Sequence, residues 1–203
     1  LLSAGMLVAP VLPAGATGSV SGAIDLRPVF ATPQDIAEGK RVAESACAGC
    51  HGINGIAMAK DRDTPHIAGQ RPAYLFLEMR VYQTGARGNT PMNNAVKFMS
   101  DDALVKVAAY YANLDPAQPE AGARAKAASR PDPVSAGKAA TAGCAGCHGE
   151  TGITSVPGMP NMAGLDPKFI VSSIKAYTKG ERKHDMMKTL VSAISETELE
   201  NIA

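Results

Sequence analysis

The chain has 203 residues, a formal net charge of +1 at pH 7, an aromatic content of 4% and no tryptophan. This length fits two domains of about 80 to 100 residues, each small for an independent hydrophobic core. Because the near-neutral charge comes without a long basic stripe, nucleic acid is excluded as a natural partner.

The first 31 residues read as a signal-like apolar segment followed by an irregular lead-in. Residues 1–12 resemble the core of an export signal, and Ala14-Gly15-Ala16 resembles a small-residue cleavage site. The apolar part is shorter than the roughly 20 residues that a spanning helix needs, and Pro10 and Pro13 interrupt it. The segment is expected either to be removed on export or to be retained as an anchor on the inner membrane.

A helix is predicted to begin at Thr32-Pro33, with threonine as N-cap and proline in the first turn. Asp132-Pro133 begins a second helix in the same way. Gly39 and Gly137 fall inside these helices, where glycine costs about 1 kcal/mol relative to alanine. Their repetition predicts that each helix crosses another at a distance too short for a side chain.

The first helix leads into Cys47-Ala48-Gly49-Cys50-His51-Gly52, and the second into Cys144-Ala145-Gly146-Cys147-His148-Gly149. The pattern C-x-x-C-H is the attachment signal for c-type haem. The two thiols form thioethers to the porphyrin, and the adjacent histidine supplies the proximal imidazole. Two copies with the same Ala-Gly filling and the same trailing glycine make a chance match implausible, and predict two covalently attached haem c groups.

Two other uses of these thiols are open. C-x-x-C pairs with histidine can bind zinc, and a C-x-x-C pair can act as a redox dithiol. All four cysteines of the chain lie in the two motifs. The histidine that follows each pair, and the methionine found downstream of each, favour haem over both alternatives.

The remaining helices also occur twice. Residues 71–82 and 166–177 each predict a helix with proline in its first turn, and Ser100 and Ser195 each begin a last helix. Repetition on this scale predicts two similar domains, at 32–115 and 132–203, joined by an extended linker at 116–131. The last helix of the second copy stops at Ala203, about where Ala108 falls in the first copy. The helix that should cross that of Gly137 is therefore expected to be incomplete, so that either the chain continues further or another element closes the second domain.

The repeat also selects the sixth iron ligand. Met92 lies seven residues after Gly85 and eight before Ser100, and Met187 has the same spacings from Gly180 and Ser195. Met186 misses both spacings by one residue. The predicted iron ligands are therefore His51 with Met92 and His148 with Met187. Weaker candidates are Met159, Met162, His66 and His184.

Pro65 and Pro160 lie three residues before matching Ala-Gly pairs. A proximal histidine donates its second ring nitrogen to an acceptor, and the carbonyls of these prolines are the candidates. Prolines that only shape a loop are the alternative.

On these residues, from about 33 to the end, the chain resembles the di-haem cytochrome c4 family. The resemblance rests on the paired C-x-x-C-H-G motifs, the Ala-Gly turns, the G-x-R-x-x-x-x-M segments and the serine-capped last helices. It implies an all-α fold of two tandem cytochrome-c-like domains, each wrapped around one covalent haem and related by a pseudo-twofold axis. It also implies a periplasmic carrier between a quinol-oxidising complex and a terminal oxidase or other reductase.

Three functions compete on these observations. The first is a one-electron carrier without substrate chemistry, hence not an enzyme. The second is a fixed electron-transfer subunit of a membrane-bound oxidoreductase, and the third a di-haem peroxidase, which needs one haem without a strong methionine ligand. Five basic residues around the second methionine could steer an acidic redox partner, or be only a solvated face: Lys175, Lys179, Arg182, Lys183 and Lys188.

Overall fold

The computed structural model describes residues 31–57, 64–88, 90–117 and 133–203. Within these ranges it is helical, with ten α-helices, one 3₁₀ turn and no β-strand, which confirms the predicted all-α class. The signal-like segment and most of the linker lie outside the described residues. None of the described helices has the length and apolar character needed to cross a bilayer.

Each repeat contributes five helices in the same order. The first repeat contains α1 (Pro33–Ala46), α2 (Ala48–His51), α3 (Pro72–Gln83), α4 (Pro91–Val96) and α5 (Asp101–Ala112). The second contains α6 (Pro133–Ala140), α7 (Ala145–His148), α8 (Pro167–Lys179), α9 (Asp185–Val191) and α10 (Glu196–Ile202), with the 3₁₀ turn at Thr141–Gly143.

The helix starts follow from local capping chemistry. Thr32 and Asp35 form a reciprocal capping box at α1, and Ser195 and Glu198 form one at α10. Helix α8 ends at Gly180, whose φ of 75° lies in the left-handed region that glycine tolerates. The helix starts predicted at Thr32 and Ser195 are confirmed.

The mid-helix glycines mark two close crossings. A Cβ on Gly39 would lie 2.0 Å from the carbonyl oxygen of Lys106 on α5, and a Cβ on Gly137 would lie 2.1 Å from that of Asn201 on α10. Both predicted crossings are therefore present. The second crossing forms although α10 is short, because its last turn reaches Gly137.

Each repeat has its own apolar core. The first is formed by α1, α3, α4 and α5, and its largest fully buried side chains are Tyr111, Leu104 and Val107. The second is smaller and lies between α8, α9 and α10; its buried members are Ile170, Ile174, Tyr177, Val191 and Leu199. Met92 packs against the first core and Met187 against the second.

The Ala-Gly turns of the two repeats both lie against the start of the linker, next to the interface between the repeats. A Cβ on Gly69 would lie 2.9 Å from Pro116, and one on Gly164 would lie 3.3 Å from the carbonyl oxygen of Ala117. Equivalent glycines thus approach neighbouring residues at the start of the linker. Gln70 and Asn161 are hydrogen-bonded across the same interface.

The methionine segments form short helices that the sequence analysis did not predict. Met92 lies in the first turn of α4 and Met187 in that of α9. Thr90 and Asn93 form a capping box before Pro91, which is the local signal that would have revealed α4. Each methionine is therefore held on an ordered turn.

Candidate haem-binding sites

Each C-x-x-C-H motif folds into a single helical turn. The amide of His51 donates to the carbonyl of Cys47 at 3.0 Å, and that of His148 donates to the carbonyl of Cys144 at 2.9 Å. The two thiols and the imidazole are consequently presented by one short element. This is the arrangement that double thioether attachment with proximal ligation needs.

The backbone conformation after each histidine requires glycine. Gly52 and Gly149 have φ of 75° and 80°, and a Cβ on either would lie within 2.3 Å of a carbonyl oxygen, of Ile56 or Ile153 respectively. Any other residue would be strained at this point. The trailing glycine therefore turns the chain sharply away from the histidine.

Both motif histidines are buried and oriented by a backbone acceptor. His51 and His148 are 6% and 9% exposed. The Nδ1 of His51 donates to the carbonyl oxygen of Pro65 at 3.0 Å, and that of His148 donates to Pro160 at 3.1 Å. The prediction that these proline carbonyls are the acceptors is confirmed. The bond fixes each ring so that Nε2 is the nitrogen directed to a metal.

A cavity that opens to solvent adjoins His51. Apolar side chains line most of it, and the thiol of Cys47 and the side chain of Met92 contribute to the same wall. The structure thus brings together three of the four residues predicted for the first site; Cys50 lies at the exposed surface of the motif.

The polar groups of this cavity suit a bound prosthetic group. Tyr111 Oη is buried beside the Cys47 sulfur and makes no standard hydrogen bond in the described structure. Burial raises the pKa of the Cys47 thiol to about 11, with a smaller opposing effect from Tyr111. An unpartnered hydroxyl beside an attachment thiol, on the wall of a mainly apolar cavity that His51 and Met92 also line, fits haem c.

The second site differs in how its methionines are placed. Met187 is partly buried against the second core, whereas Met186 is 58% exposed. The Nδ1 of His184 accepts the amide of Met187 at 3.3 Å and so caps α9. This burial favours Met187 over Met186 as the ligand, in the direction that the repeat spacing indicates.

Two of the other weak candidates, His66 and Met162, have structural partners. The Nδ1 of His66 accepts the amide of Ala57 at 3.0 Å, although the ring also lines the first cavity. Met162 packs against the second core. Across the described ranges, no group of three or more His, Cys, Asp and Glu side chains is placed to bind a metal ion such as zinc.

One cluster at the domain interface was missed by sequence reasoning. Glu78 on α3 accepts hydrogen bonds from Arg87 of its own repeat and from Arg182 of the other, and Arg182 also donates to Tyr74 at 2.7 Å. Arg182 is 6% exposed, so it belongs to the interface and not to a steering surface. The repeat alignment pairs Arg87 with Arg182 but pairs Glu78 with Ser173. The second arginine therefore has no acidic partner at the matching position of its own repeat, and this was the available signal for a contact with the other repeat.

Comparison with known proteins agrees with this geometry. Residues 36–115 match the cytochrome c family. The thiosulfate dehydrogenase electron acceptor of Stutzerimonas stutzeri is 35% identical over 71 residues, which are 34% of this chain and 32% of that protein. The match thus spans about a third of the length of this curated relative.

Two solved structures share the fold over most of the chain. Reduced cytochrome c4 from Pseudomonas stutzeri has a TM-score of 0.67 at 22% identity, covering 82% of this chain and 93% of its own. Thiosulfate dehydrogenase TsdBA from Marichromatium purpuratum has a TM-score of 0.69 at 24% identity, covering 82% of this chain and 39% of its own. The match to the cytochrome c family therefore lies in residues 36–115, the chain shares the cytochrome c4 fold over 82% of its length, and haem c is the covalent cofactor of the C-x-x-C-H motifs.

Proposed function

We propose that this protein is a di-haem carrier of single electrons, with one haem held by His51 and Met92 and the other by His148 and Met187. The observation that carries the proposal is the first cavity, where a buried and oriented histidine and a helix-borne methionine line one apolar space. The repeat extends the same assignment to the second motif.

The chain's own residues explain why such a site would transfer electrons and little else. Haem iron held by imidazole and thioether takes up and releases one electron without an open position for substrate. The proline carbonyls hold the histidine rings, and α4 and α9 hold the methionines. The mainly apolar lining disfavours water, which would otherwise compete for the methionine position.

Redox titration of the intact holoprotein with optical spectra tests this proposal. Two one-electron steps and the weak sulfur-to-iron absorption band of the oxidised state are expected. A high-spin haem in the resting protein, or rapid peroxide turnover, would instead favour the di-haem peroxidase and contradict methionine ligation.

For partners, we propose a quinol-oxidising respiratory complex as donor and a terminal oxidase or other periplasmic reductase as acceptor. The cytochrome c4 fold and the export-like segment at residues 1–16 support this assignment. The site of action would be the periplasm, and residues 1–20, if retained, would anchor the protein to the inner membrane. Fractionation of cells that express the complete protein would separate a free carrier from an anchored one.

A second candidate is a fixed electron-transfer subunit of an oxidoreductase that acts on reduced sulfur. It is favoured by the 35% identity to a thiosulfate dehydrogenase electron acceptor and by the shared fold with part of TsdBA. Reduction of the purified holoprotein by thiosulfate alone, without any added dehydrogenase, would argue that the chain is itself catalytic. Reduction only in the presence of a dehydrogenase would support the acceptor role.

A further inference from the structure

A single peptide unit at the interface links the second proximal histidine to the first repeat. The carbonyl of Pro160 accepts the hydrogen bond from His148 Nδ1 at 3.1 Å. The amide of the same peptide unit, the N–H of Asn161, donates to Oε1 of Gln70 at 2.8 Å. Gln70 thus contacts, from the other domain, the group that orients His148.

Gln70 is held firmly in this position. Its side chain is 5% exposed, and its Nε2 donates to the carbonyl oxygen of Asn161 at 2.8 Å. Its Oε1 also accepts the amide of Arg71 at 2.9 Å. Because Oε1 faces two backbone N–H groups, which can only donate, the orientation of the side-chain amide is determined by its surroundings.

Further hydrogen bonds hold the loop around Asn161 in place. Asn161 Oδ1 accepts the amide of Thr154, and the hydroxyl of Thr154 donates to the carbonyl of Cys147 at 2.5 Å. From the first repeat, Arg71 Nη1 donates to the carbonyl of Thr154 at 3.0 Å. The loop that follows the second motif is therefore hydrogen-bonded to two consecutive residues of the first domain, Gln70 and Arg71.

The equivalent contact in the other direction cannot form. The repeat places Leu165 where Gln70 stands, and Leu165 has no hydrogen-bonding atom in its side chain. It lines the first cavity together with His66, the equivalent of Asn161. Two motifs of identical sequence thus have different surroundings beyond their proximal histidines.

We propose that Gln70 is a positioning residue that tunes the second haem from the first domain, through the Pro160–Asn161 peptide and His148. An amide that donates at its N–H becomes a stronger acceptor at its C=O, because hydrogen bonds in a chain polarise one another. A stronger acceptor at Nδ1 makes the imidazole a better electron donor to iron. Since electron donation stabilises ferric over ferrous iron, Gln70 lowers the reduction potential of the second haem.

This inference rests on the proposed ligation of the second haem by His148. The test is a redox titration of the full-length holoprotein by NMR, with methyl resonances assigned to each haem. Gln70→Met keeps the side-chain length and removes the acceptor. It is expected to shift the redox equilibrium of the second haem toward the reduced form by about threefold to tenfold, the latter being about 59 mV for a one-electron couple.

Arg71→Met is the matched control, because it breaks a bond of similar length to the same loop without touching the Pro160–Asn161 peptide. It removes a positive charge and is expected to leave the second potential unchanged or lower it. Gln70→Glu keeps an oxygen acceptor and is expected to retain slow exchange of the His148 ring N–H, which Gln70→Met loses. This second readout remains decisive if the methionine variant loads haem poorly.

Unchanged potentials in Gln70→Met, equal shifts at both haems, or a shift at the first haem alone would overturn the inference. Failure of the proposed function would look different. The unsubstituted holoprotein would then lack the spectrum of a histidine-ligated low-spin second haem before any variant was made.

Discussion

Arg182, in the loop that follows α8 of the second repeat, donates a hydrogen bond to Glu78 on α3 of the first repeat. Glu78 also accepts a hydrogen bond from Arg87, so one carboxylate joins two guanidinium groups across the domain interface. Each arginine also lies over a tyrosine, Arg87 over Tyr82 at 4.6 Å and Arg182 over Tyr177 at 4.7 Å. The interface is therefore held by charge as well as by apolar packing.

Removing Arg182 should loosen the two domains. In Arg182→Met, Glu78 keeps Arg87 but Tyr74 loses its donor, and a hydrogen bond to a charged group contributes about 1.5–3 kcal/mol. A loss of about 2 kcal/mol in the free energy of unfolding of the holoprotein is expected, measured by urea denaturation.

Lys175→Met is the control for that measurement. The Lys175–Glu196 pair is 2.7 Å long, but its side chains are 39% and 75% exposed. Exposed pairs contribute about 0–1 kcal/mol. Equal losses in the two variants would show that the buried cluster does not stabilise the interface.

The two candidate methionines of the second site can be separated by substitution. Met187→Leu should abolish half of the sulfur-to-iron band and lower the potential of one haem, because a thioether ligand favours ferrous iron. Met186→Leu, at a side chain that is 58% exposed, should leave both unchanged. Met92→Leu should remove the other half. The reverse result for positions 186 and 187 would transfer the ligand role to Met186.

The helix crossing at Gly39 should not tolerate even a methyl group. The Cβ of Gly39→Ala would lie 2.0 Å from the carbonyl oxygen of Lys106, which is backbone and cannot move aside alone. Overpacking of this kind costs about 1–3 kcal/mol. Thermal unfolding of the holoprotein should show the loss.

A second alanine substitution supplies the comparison. Gly143, in the 3₁₀ turn, has no atom within 4 Å of an added Cβ. Gly143→Ala should therefore be neutral or slightly stabilising. If Gly39→Ala were equally neutral, the crossing would be looser than the structure shows.

The capping box of α10 should make the second domain sensitive to acid. The Ser195 side chain and backbone hold the pKa of the Glu198 carboxyl below its usual 4.5. A lowered folded pKa contributes stability that is present above the unfolded pKa and is lost as the pH falls through the folded value. The stability difference between the unsubstituted protein and Glu198→Gln should therefore shrink as the pH falls below the usual glutamate range. Circular dichroism melts at decreasing pH measure it, and a difference that stays constant would rule out this carboxylate as the source.

Salt should slow electron transfer to an acidic partner if the basic surface near Met187 steers it. The structure reduces that surface to Lys179, Lys183 and Lys188, because Arg182 is buried and Lys175 is paired with Glu196. Stopped-flow rates with an acidic redox protein should fall as ionic strength rises, and Lys183→Glu should flatten the dependence. A rate that changes neither with ionic strength nor in Lys183→Glu would show that these lysines are only solvated.

The sequence by itself determined the cofactor chemistry, the all-α class and the repeat. Cysteine spacing, an adjacent histidine and capping residues act within a few positions, so local physical chemistry is enough to read them. The same holds for the close crossings at Gly39 and Gly137. Glycine destabilises a helix interior, so its recurrence at equivalent positions indicates a contact that leaves no room for a side chain.

Only the tertiary structure decided which residues of one repeat act on the other. Gln70 and Asn161 are 91 positions apart, and Glu78 and Arg182 are 104 apart. No periodicity links such positions, and the repeat hides them because Leu165 and Ser173 occupy the equivalent places. These contacts exist because packing two small cores against each other buries polar groups, and buried polar groups must find partners wherever the chain supplies them.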